Sequence, residues 1–195
     1  MKKNHCYSAS FDLKTEGLFR EAEFLGQGNN GIVYKVPENK VIKLFYEEKV
    51  WYDEAYILTR TKKSAFFPKL YEKGRFYIVR EMVKGIQLDK YIKKNGLNFE
   101  LTKNIYEMLE EFKRLKFKKI DSRCKDIYVS NDLRIKLIDP KKYYRRNIEF
   151  PRHLMKGFLK LEVLNDFYIY MKQINEGKTK EWIKLFQLYM EKELN

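Results

Sequence analysis

Three aspartates in the second half of the chain have the residue type and the spacing for chemistry. Asp121 and Asp126 lie five residues apart, and Asp139 follows a segment that predicts two short strands (127–129 and 133–138) joined by a turn. Because a hairpin brings its two ends together, Asp126 and Asp139 are expected at one edge. The joint placement indicates a site, whereas each aspartate alone would be interpreted as a solvated surface residue.

A lysine and a glutamate in the first third of the chain form a second candidate group. Lys43 ends a short apolar strand, where its ammonium can supply a point charge to phosphates. Residues 47–60 have helical spacing, and Glu54 lies on the same face as the apolar residues of that helix. A buried glutamate is costly unless a cation meets it, so its natural partner is Lys43. The alternative is that Glu54 lies at the edge of the apolar stripe and is solvated.

The segment that leads to Lys43 is rich in glycine. Its sequence, GQGNNGIVYKVPENKVIK, places Gly26, Gly28 and Gly31 ahead of Val33 and predicts two strands joined by a turn at 37–39. Glycine lets backbone N–H groups approach phosphate oxygens, because no Cβ stands in the way. The same glycine spacing also opens dinucleotide-binding folds, and an ordinary hairpin with glycine turns is a further alternative.

The remaining elements mix strand and helix patterns, as in an α+β protein. Strand patterns occur at 18–25 and 76–79, with a turn at 72–75 before the second. An extended segment, Val79–Gly85, follows. Helices are predicted over four further ranges by their apolar spacing: 88–94, 101–115, 154–171 and 180–192.

These motifs resemble the protein-kinase fold from the glycine segment to Asp139. A glycine-rich turn between strands followed by V-x-K, a glutamate on the next helix and acidic groups around a hairpin are typical of that family. The chain is most similar to small bacterial serine/threonine-kinase-like proteins, which have I-D-P in place of D-F-G. The resemblance implies a bilobal α+β fold. Its N-lobe, 1–83, contains an antiparallel sheet plus one helix, and its reduced C-lobe, 84–195, is mostly helical.

The resemblance also implies a role for each candidate residue. It makes Asp121 the base that accepts the proton of the substrate hydroxyl, and Asp126 and Asp139 the Mg²⁺ ligands. Glu54 holds Lys43, which contacts the phosphates. The implied ATP-binding residues are Gly26, Gly28, Gly31, Val33, Lys43, Glu81 and Val83. The expected protein is an ATP- and Mg²⁺-dependent phosphotransferase, a serine/threonine protein kinase whose protein substrate presents Ser or Thr.

Several features depart from the kinase pattern. Lys119–Ile120 stands where kinases have His-Arg, Asp126 replaces an asparagine, and Pro140–Lys141 replaces Phe-Gly. No A-P-E follows, and about 11 positions separate Asp139 from Phe150–Pro151, too few for a full activation segment and peptide platform. These departures leave open a pseudokinase, a nucleotide-binding scaffold, a small-molecule kinase and an RNA-associated kinase.

The charge of the chain is strongly positive and unevenly distributed. Its 41 lysines and arginines outnumber 27 aspartates and glutamates, a net charge of +14. Residues 113–160 hold 16 basic and 5 acidic residues, a net charge of +11. Such a region is expected to attract an acidic partner or nucleic acid, unless it is only a solvated basic face. Its basic run interleaves two tyrosines that stack bases if exposed: Lys141, Lys142, Tyr143, Tyr144, Arg145 and Arg146.

Composition argues against several other classes of protein. No apolar run approaches the ~20 residues of a membrane span, and no signal-peptide pattern opens the chain. A cytoplasmic protein without membrane contact is therefore expected. Cys6, Cys124, His5 and His153 show no metal-binding or disulfide pattern.

Overall fold

A computed structural model describes residues 10–140 and 142–194, which divide into two compact units. The first unit extends to Val83 and also includes Asp139 and Pro140, and the second contains the other described residues. The first is built on an antiparallel sheet and the second is mostly helical, so the predicted α+β fold class is confirmed. His5, Cys6 and Lys141 lie outside the described residues.

The first unit contains a five-stranded antiparallel sheet. Its strand order is β1-β2-β3-β5-β4, which places β3 at the centre. Helix α1 (Leu13–Arg20) precedes the sheet, and helix α2 (Glu48–Arg60) connects β3 to β4. The strands are β1 (Glu23–Gly28), β2 (Gly31–Val36), β3 (Lys40–Phe45), β4 (Leu70–Gly74) and β5 (Tyr77–Glu81).

The glycine segment forms the hairpin between β1 and β2. Gly28 pairs with Gly31 across a two-residue turn. A Cβ on Gly31 would lie 1.8 Å from the backbone oxygen of Leu44, so close packing of β2 on β3 requires glycine there. The predicted turn after β2 is also present. The loop contains the three residues between Val36 and Lys40, which pair with each other, and two of them, Glu38 and Asn39, have positive φ.

The segment before β1 differs from its prediction. A strand is predicted over 18–25, but α1 occupies the first part of this range and β1 begins only at Glu23. The Asp12 carboxylate caps α1 by accepting the backbone N–H of Thr15 at 2.8 Å. Leu18 and Phe19 then pack against the apolar face of the sheet, which is formed by Val36, Ile42, Leu44, Tyr77 and Val79. This cap and this packing partner stabilise the helix.

The second unit combines five helices with a small antiparallel sheet of order β6-β7-β8. The stripe predicted over 101–115 is fully buried from Leu101 to Phe112, whereas Leu115 is half-buried at the C-cap, so α4 forms the centre of the core. A short 3-10 turn, Cys124–Asp126, precedes β7. The elements are β6 (Ile86–Gln87), α3 (Leu88–Asn95), α4 (Phe99–Arg114), β7 (Ile127–Val129), β8 (Ile135–Leu137), α5 (Arg152–Lys160), α6 (Leu164–Ile174) and α7 (Glu176–Leu194).

Two further boundaries correct the sequence predictions. The single helix expected over 154–171 is divided into α5 and α6, because Glu162 adopts a left-handed conformation with φ 60° that a continuous helix excludes. The turn expected at 72–75 lies later, at residues 75–76, and β4 continues to Gly74. Phe76, expected in a strand, has φ 65° and supplies the left-handed position of that turn.

No helix among the described residues combines the length and the apolar character needed to cross a membrane.

Candidate functional site

Lys43 forms a charged cluster with two acidic residues of the first unit, Glu54 and Asp139. Its Nζ lies 2.7 Å from Glu54 Oε2 and 2.6 Å from Asp139 Oδ1. The side chains of Lys43 and Glu54 are 3% and 1% exposed, whereas that of Asp139 is 31% exposed. The ion pair predicted between Lys43 and Glu54 is therefore present, and Asp139 joins it.

The sheet and α2 together position this cluster. Lys43 lies in the central strand, directly opposite Val33 of β2 and Ile78 of β5, so these three side chains share one face. Glu54 lies among the buried residues of α2. Because side chains alternate along a strand, Ile42 and Leu44 point to the opposite face, where α1 packs.

Some buried polar atoms in and beside this cluster have no hydrogen-bond partner among the described residues. Burial raises the pKa of Glu54 above its usual range, although Lys43 acts to lower it. Glu54 Oε1 has no hydrogen-bond partner among the described residues. Arg80, also buried, acts to lower the pKa of Glu54, and its Nη1 donates to the carbonyl of Glu81 at 3.0 Å. The Arg80 Nε likewise lacks a described partner.

The residues expected to bind ATP lie at different places in the first unit. Gly26 and Gly28 belong to the glycine hairpin, and a Cβ on either would meet no atom within 4 Å. Gly31, by contrast, is explained by the packing of β2 on β3. Glu81 ends β5, and Val83 is the last residue of the first segment of this unit.

The donors of the Lys43 cluster fit a phosphate accompanied by a hard divalent cation. Lys43 offers an ammonium for phosphate oxygens, and the Asp139 carboxylate, partly exposed, is the oxygen ligand that Mg²⁺ prefers. Within 10–140 and 142–194, no three His, Cys, Asp or Glu residues group closely enough to hold a metal alone. Phosphate oxygens and water would therefore have to complete the ligand set.

Asp121 lies in the second unit, with its carboxylate held by the start of α5. Its Oδ1 accepts the backbone N–H of His153 at 3.1 Å, and its Oδ2 contacts the ring Nδ1 of the same residue. Arg152 Nε lies 4.0 Å from Oδ2. A helix N-terminus favours an anion, which explains the stability of this buried charge. The Asp121 side chain is 0% exposed, so a substrate cannot reach it directly in this conformation.

His153 is a candidate that the sequence reasoning missed. Its side chain is 42% exposed, and with Nδ1 bound to Asp121 its Nε2 is the nitrogen left for a ligand. The two residues are 32 positions apart, and pairing of segments 118–120 and 143–148 brings them together. Ile120 N–H, for example, donates to the Ile148 carbonyl at 2.6 Å. No local pattern around His153 signals this pairing.

Asp126 has a different cation partner. Arg123 donates to its carboxylate through Nε at 2.7 Å and Nη2 at 2.9 Å, a two-pronged contact. The hairpin predicted after it is present, because Ile127 pairs with Leu137 and the Ile138 N–H donates to the Asp126 carbonyl at 2.8 Å. Its second strand is shorter than the predicted 133–138, because Leu133 has φ 61° and belongs to the turn. Asp126 and Asp139 belong to different units. Their shared role as metal ligands remains a prediction.

The two tyrosines of the basic run make packing contacts. Tyr143 is buried, with its ring centroid 5.2 Å from that of Phe112 and 5.0 Å from that of Phe117. Tyr144 packs edge-on against Phe117, and its hydroxyl donates to the Leu115 carbonyl at 3.3 Å. Tyr143 therefore lacks the open face that base stacking needs, and Tyr144 is half-buried.

Comparison with known proteins gives little sequence similarity. No family model and no curated protein matches the chain. Many solved chains match by structure, among them a crystal structure of Rad53 1-466 in complex with AMP-PNP. That match has 18% sequence identity, a TM-score of 0.46 and 62% coverage of this chain. The matched part spans 38% of the Rad53 chain.

Proposed function

We propose that the chain is an ATP- and Mg²⁺-dependent phosphotransferase that acts on a hydroxyl acceptor. The observation that carries this proposal is the buried Lys43, held by Glu54 and Asp139. Burial of each charge costs several kcal/mol, and such groups concentrate where the charge has a function. A strand lysine paired with a glutamate of the next helix is the device with which protein kinases position phosphates.

The residues of the first unit bind and orient the nucleotide. Lys43 binds the phosphates as a point charge, and Glu54 fixes the ammonium so that little side-chain freedom is lost on binding. Gly26 and Gly28 leave the tip of the hairpin open to phosphate oxygens. Asp139 and Asp126 would hold Mg²⁺, which would neutralise charge on the phosphoryl group.

The transfer step needs a group that removes the acceptor proton. The acceptor oxygen forms a bond to the γ-phosphorus, while the bond to the β–γ bridging oxygen breaks and ADP leaves with its electron pair. The proton passes to Nε2 of His153, whose ring Asp121 holds through Nδ1. The carboxylate then stabilises the imidazolium. The base that the kinase resemblance assigns to Asp121 alone is thus assigned to the Asp121–His153 pair.

Nucleotide binding is tested first by thermal denaturation with AMP-PNP and Mg²⁺. A ligand at 100 times its Kd stabilises the folded state by about 2.7 kcal/mol. Lys43→Met should lose most of this shift, whereas Lys35→Met, which removes a surface lysine of the neighbouring strand, should keep it. No shift with the wild-type protein would overturn the proposal.

Transfer is tested with labelled ATP, Mg²⁺ and the protein itself or a hydroxyl acceptor. Asp121→Asn and His153→Asn should each lower the rate by about 10²-fold or more, because a positioned base contributes about that much. The asparagine at 153 keeps an N–H donor for Asp121 but cannot take the proton. Nucleotide binding should be unchanged in both variants. Transfer at the wild-type rate in either variant would contradict the assigned base.

A second candidate function is nucleotide binding without transfer, as in a pseudokinase. The complete burial of Asp121 and the two-pronged contact between Arg123 and Asp126 favour it. It predicts stabilisation by ATP and Mg²⁺ but no labelled product with any acceptor.

The resemblance implies that the acceptor is a Ser or Thr of a protein substrate. A mixed-sequence Ser/Thr peptide pool in the same assay tests this acceptor.

A further inference from the structure

A cavity of about 450 Å³ lies within the second unit. Residues of α3, the turn Cys124–Asp126 and α5 form its walls. This volume falls within the range of about 300–1,000 Å³ that is typical of small-molecule sites. The phosphate-binding cluster at Lys43 belongs to the other unit, so the cavity is a separate feature of the chain.

The cavity wall carries an excess of positive charge. Its basic residues are Lys93, Arg123, Lys125, Lys156 and Lys160. Arg123 is paired with Asp126 and Lys156 with Glu193. The other three lysines form no ion pair with any residue of 10–140 or 142–194. Asp89 is the one acidic residue among those that line the cavity, so charge balance calls for an anionic ligand.

The cavity also adjoins the proposed base. His153 lines it, and its ring is held by Asp121. Cys124 and Gly157 complete this part of the wall, and burial raises the pKa of the Cys124 thiol to about 12. The thiol is therefore neutral at physiological pH and adds no competing negative charge.

We propose that this cavity binds the acceptor of the reaction, and that the acceptor is a small alcohol already carrying a phosphate group. The proposal rests on the proposed phosphotransferase function, since it identifies the class of acceptor. A phosphate dianion pairs with the three lysines that lack acidic partners, Lys93, Lys125 and Lys160. A free hydroxyl of the same molecule is then available to His153, and Asp89 offers an acceptor for a second hydroxyl. The product is a doubly phosphorylated compound.

The volume and composition of the cavity favour a small molecule over a macromolecule. The site is an open pocket whose polar groups come from three separate elements, an arrangement that suits a compact ligand bridging them. A phosphopeptide or RNA strand needs an extended groove with repeated contacts along a backbone. We therefore treat binding of those ligands without binding of a small phosphate as an outcome that counts against the proposal.

The test is calorimetric titration of the full chain without nucleotide, at constant ionic strength. The probes are glycerol 3-phosphate and glucose 6-phosphate, each with its unphosphorylated parent, together with a phosphoserine hexapeptide and an RNA oligonucleotide. At least one of the two small phosphates should bind, and neither parent should. The triple variant Lys93→Gln/Lys125→Gln/Lys160→Gln should weaken that binding at least tenfold.

A matched variant separates the cavity from general charge. Lys103→Gln/Lys172→Gln/Lys184→Gln removes three exposed lysines of the same unit and should leave the affinity within twofold. Equal weakening in both triple variants, binding of the peptide or RNA but not the small phosphates, or no binding of any probe would each overturn the proposal.

The same titration distinguishes this inference from the proposed function. Because no nucleotide is present, binding of a small phosphate supports the cavity site even if no transfer follows. Addition of ATP and Mg²⁺ should then convert the bound compound to a doubly phosphorylated product, detected by its mass. Transfer to an unphosphorylated alcohol, with no binding of a small phosphate, would support the phosphotransferase function and contradict the proposed acceptor site in the cavity.

Discussion

At the scale of single residues, Lys43 is the cation that pairs with two carboxylates of the first unit. Its ammonium contacts the buried carboxylate of Glu54 and the partly exposed carboxylate of Asp139. Because burial raises the pKa of Glu54, its charged form depends on the cation beside it. The arrangement therefore makes strong predictions about what happens when only one member is removed.

Lys43→Met should lower the free energy of unfolding by roughly 3–5 kcal/mol, since it leaves a buried carboxylate without its partner. The double variant Lys43→Met/Glu54→Leu should recover most of this loss, because the buried carboxylate is removed together with its cation. Urea denaturation monitored by circular dichroism measures both. Lys35→Met, which breaks an exposed pair with Glu23, should cost no more than about 1 kcal/mol. Additive losses in the double variant would show that Lys43 and Glu54 are not coupled.

Among the secondary-structure elements, α5 contributes most to the second unit's candidate site. Its first turn holds Asp121 through His153, and its later turns line the cavity. Gly157 lies where α5 packs against the turn Cys124–Asp126. A Cβ added to Gly157 would lie 2.6 Å from Cys124 Sγ, so the helix depends on glycine at this contact.

We expect Gly157→Ala to destabilise the protein by roughly 1–3 kcal/mol through overpacking, although alanine favours helices. In a Cys124→Ala background the sign should reverse, because the nearest remaining atom, the Cβ of residue 124, is at an ordinary 3.7 Å. There alanine at 157 should stabilise by roughly 0.5–1 kcal/mol. Thermal denaturation of the four proteins measures this coupling. Gly177→Ala, in α7 with no atom closer than 3.8 Å, should have the same effect in both backgrounds.

The sequence predicts best those elements whose residue pattern lies entirely within the element itself. The apolar stripe of α4 and the strands around Lys43 follow from residue spacing alone, because each repeats the period of its own structure. Helix α1 was not predicted, since its cap at Asp12 and its packing partners on the sheet had to be recognised together. The break at Glu162 depends on one left-handed residue that is not glycine.

The candidate site also combines contacts that the sequence predicts with contacts that it does not predict. The pairing of Lys43 with Glu54 was predictable, because a buried acid on a helix face needs a cation. The contact between Asp121 and His153 was not, because two segments far apart in sequence must first pair. The cavity was likewise hidden, as its lysines lie on three elements with no shared motif.

For the whole molecule, the net charge of +14 and its concentration in residues 113–160 raise the question of a polyanionic partner. Tyr143 is buried and cannot stack on a base, and Tyr144 is half-buried against Phe117. Any association with nucleic acid should therefore come mainly from charge. It should also be distinguishable from the small-phosphate site by its dependence on salt.

We expect single-stranded RNA to bind weakly at 50 mM KCl, with no preference for base composition. With about four phosphate contacts, affinity should fall roughly 50-fold between 50 and 200 mM, because counterions are released from each neutralised phosphate. A small phosphate in the cavity releases few counterions, so its affinity should change much less. Fluorescence anisotropy measures the RNA binding, and Lys142→Gln/Arg145→Gln/Arg146→Gln should reduce its salt slope. A purine preference, or RNA binding insensitive to salt, would indicate stacking or a shaped site and contradict the interpretation that binding comes mainly from charge.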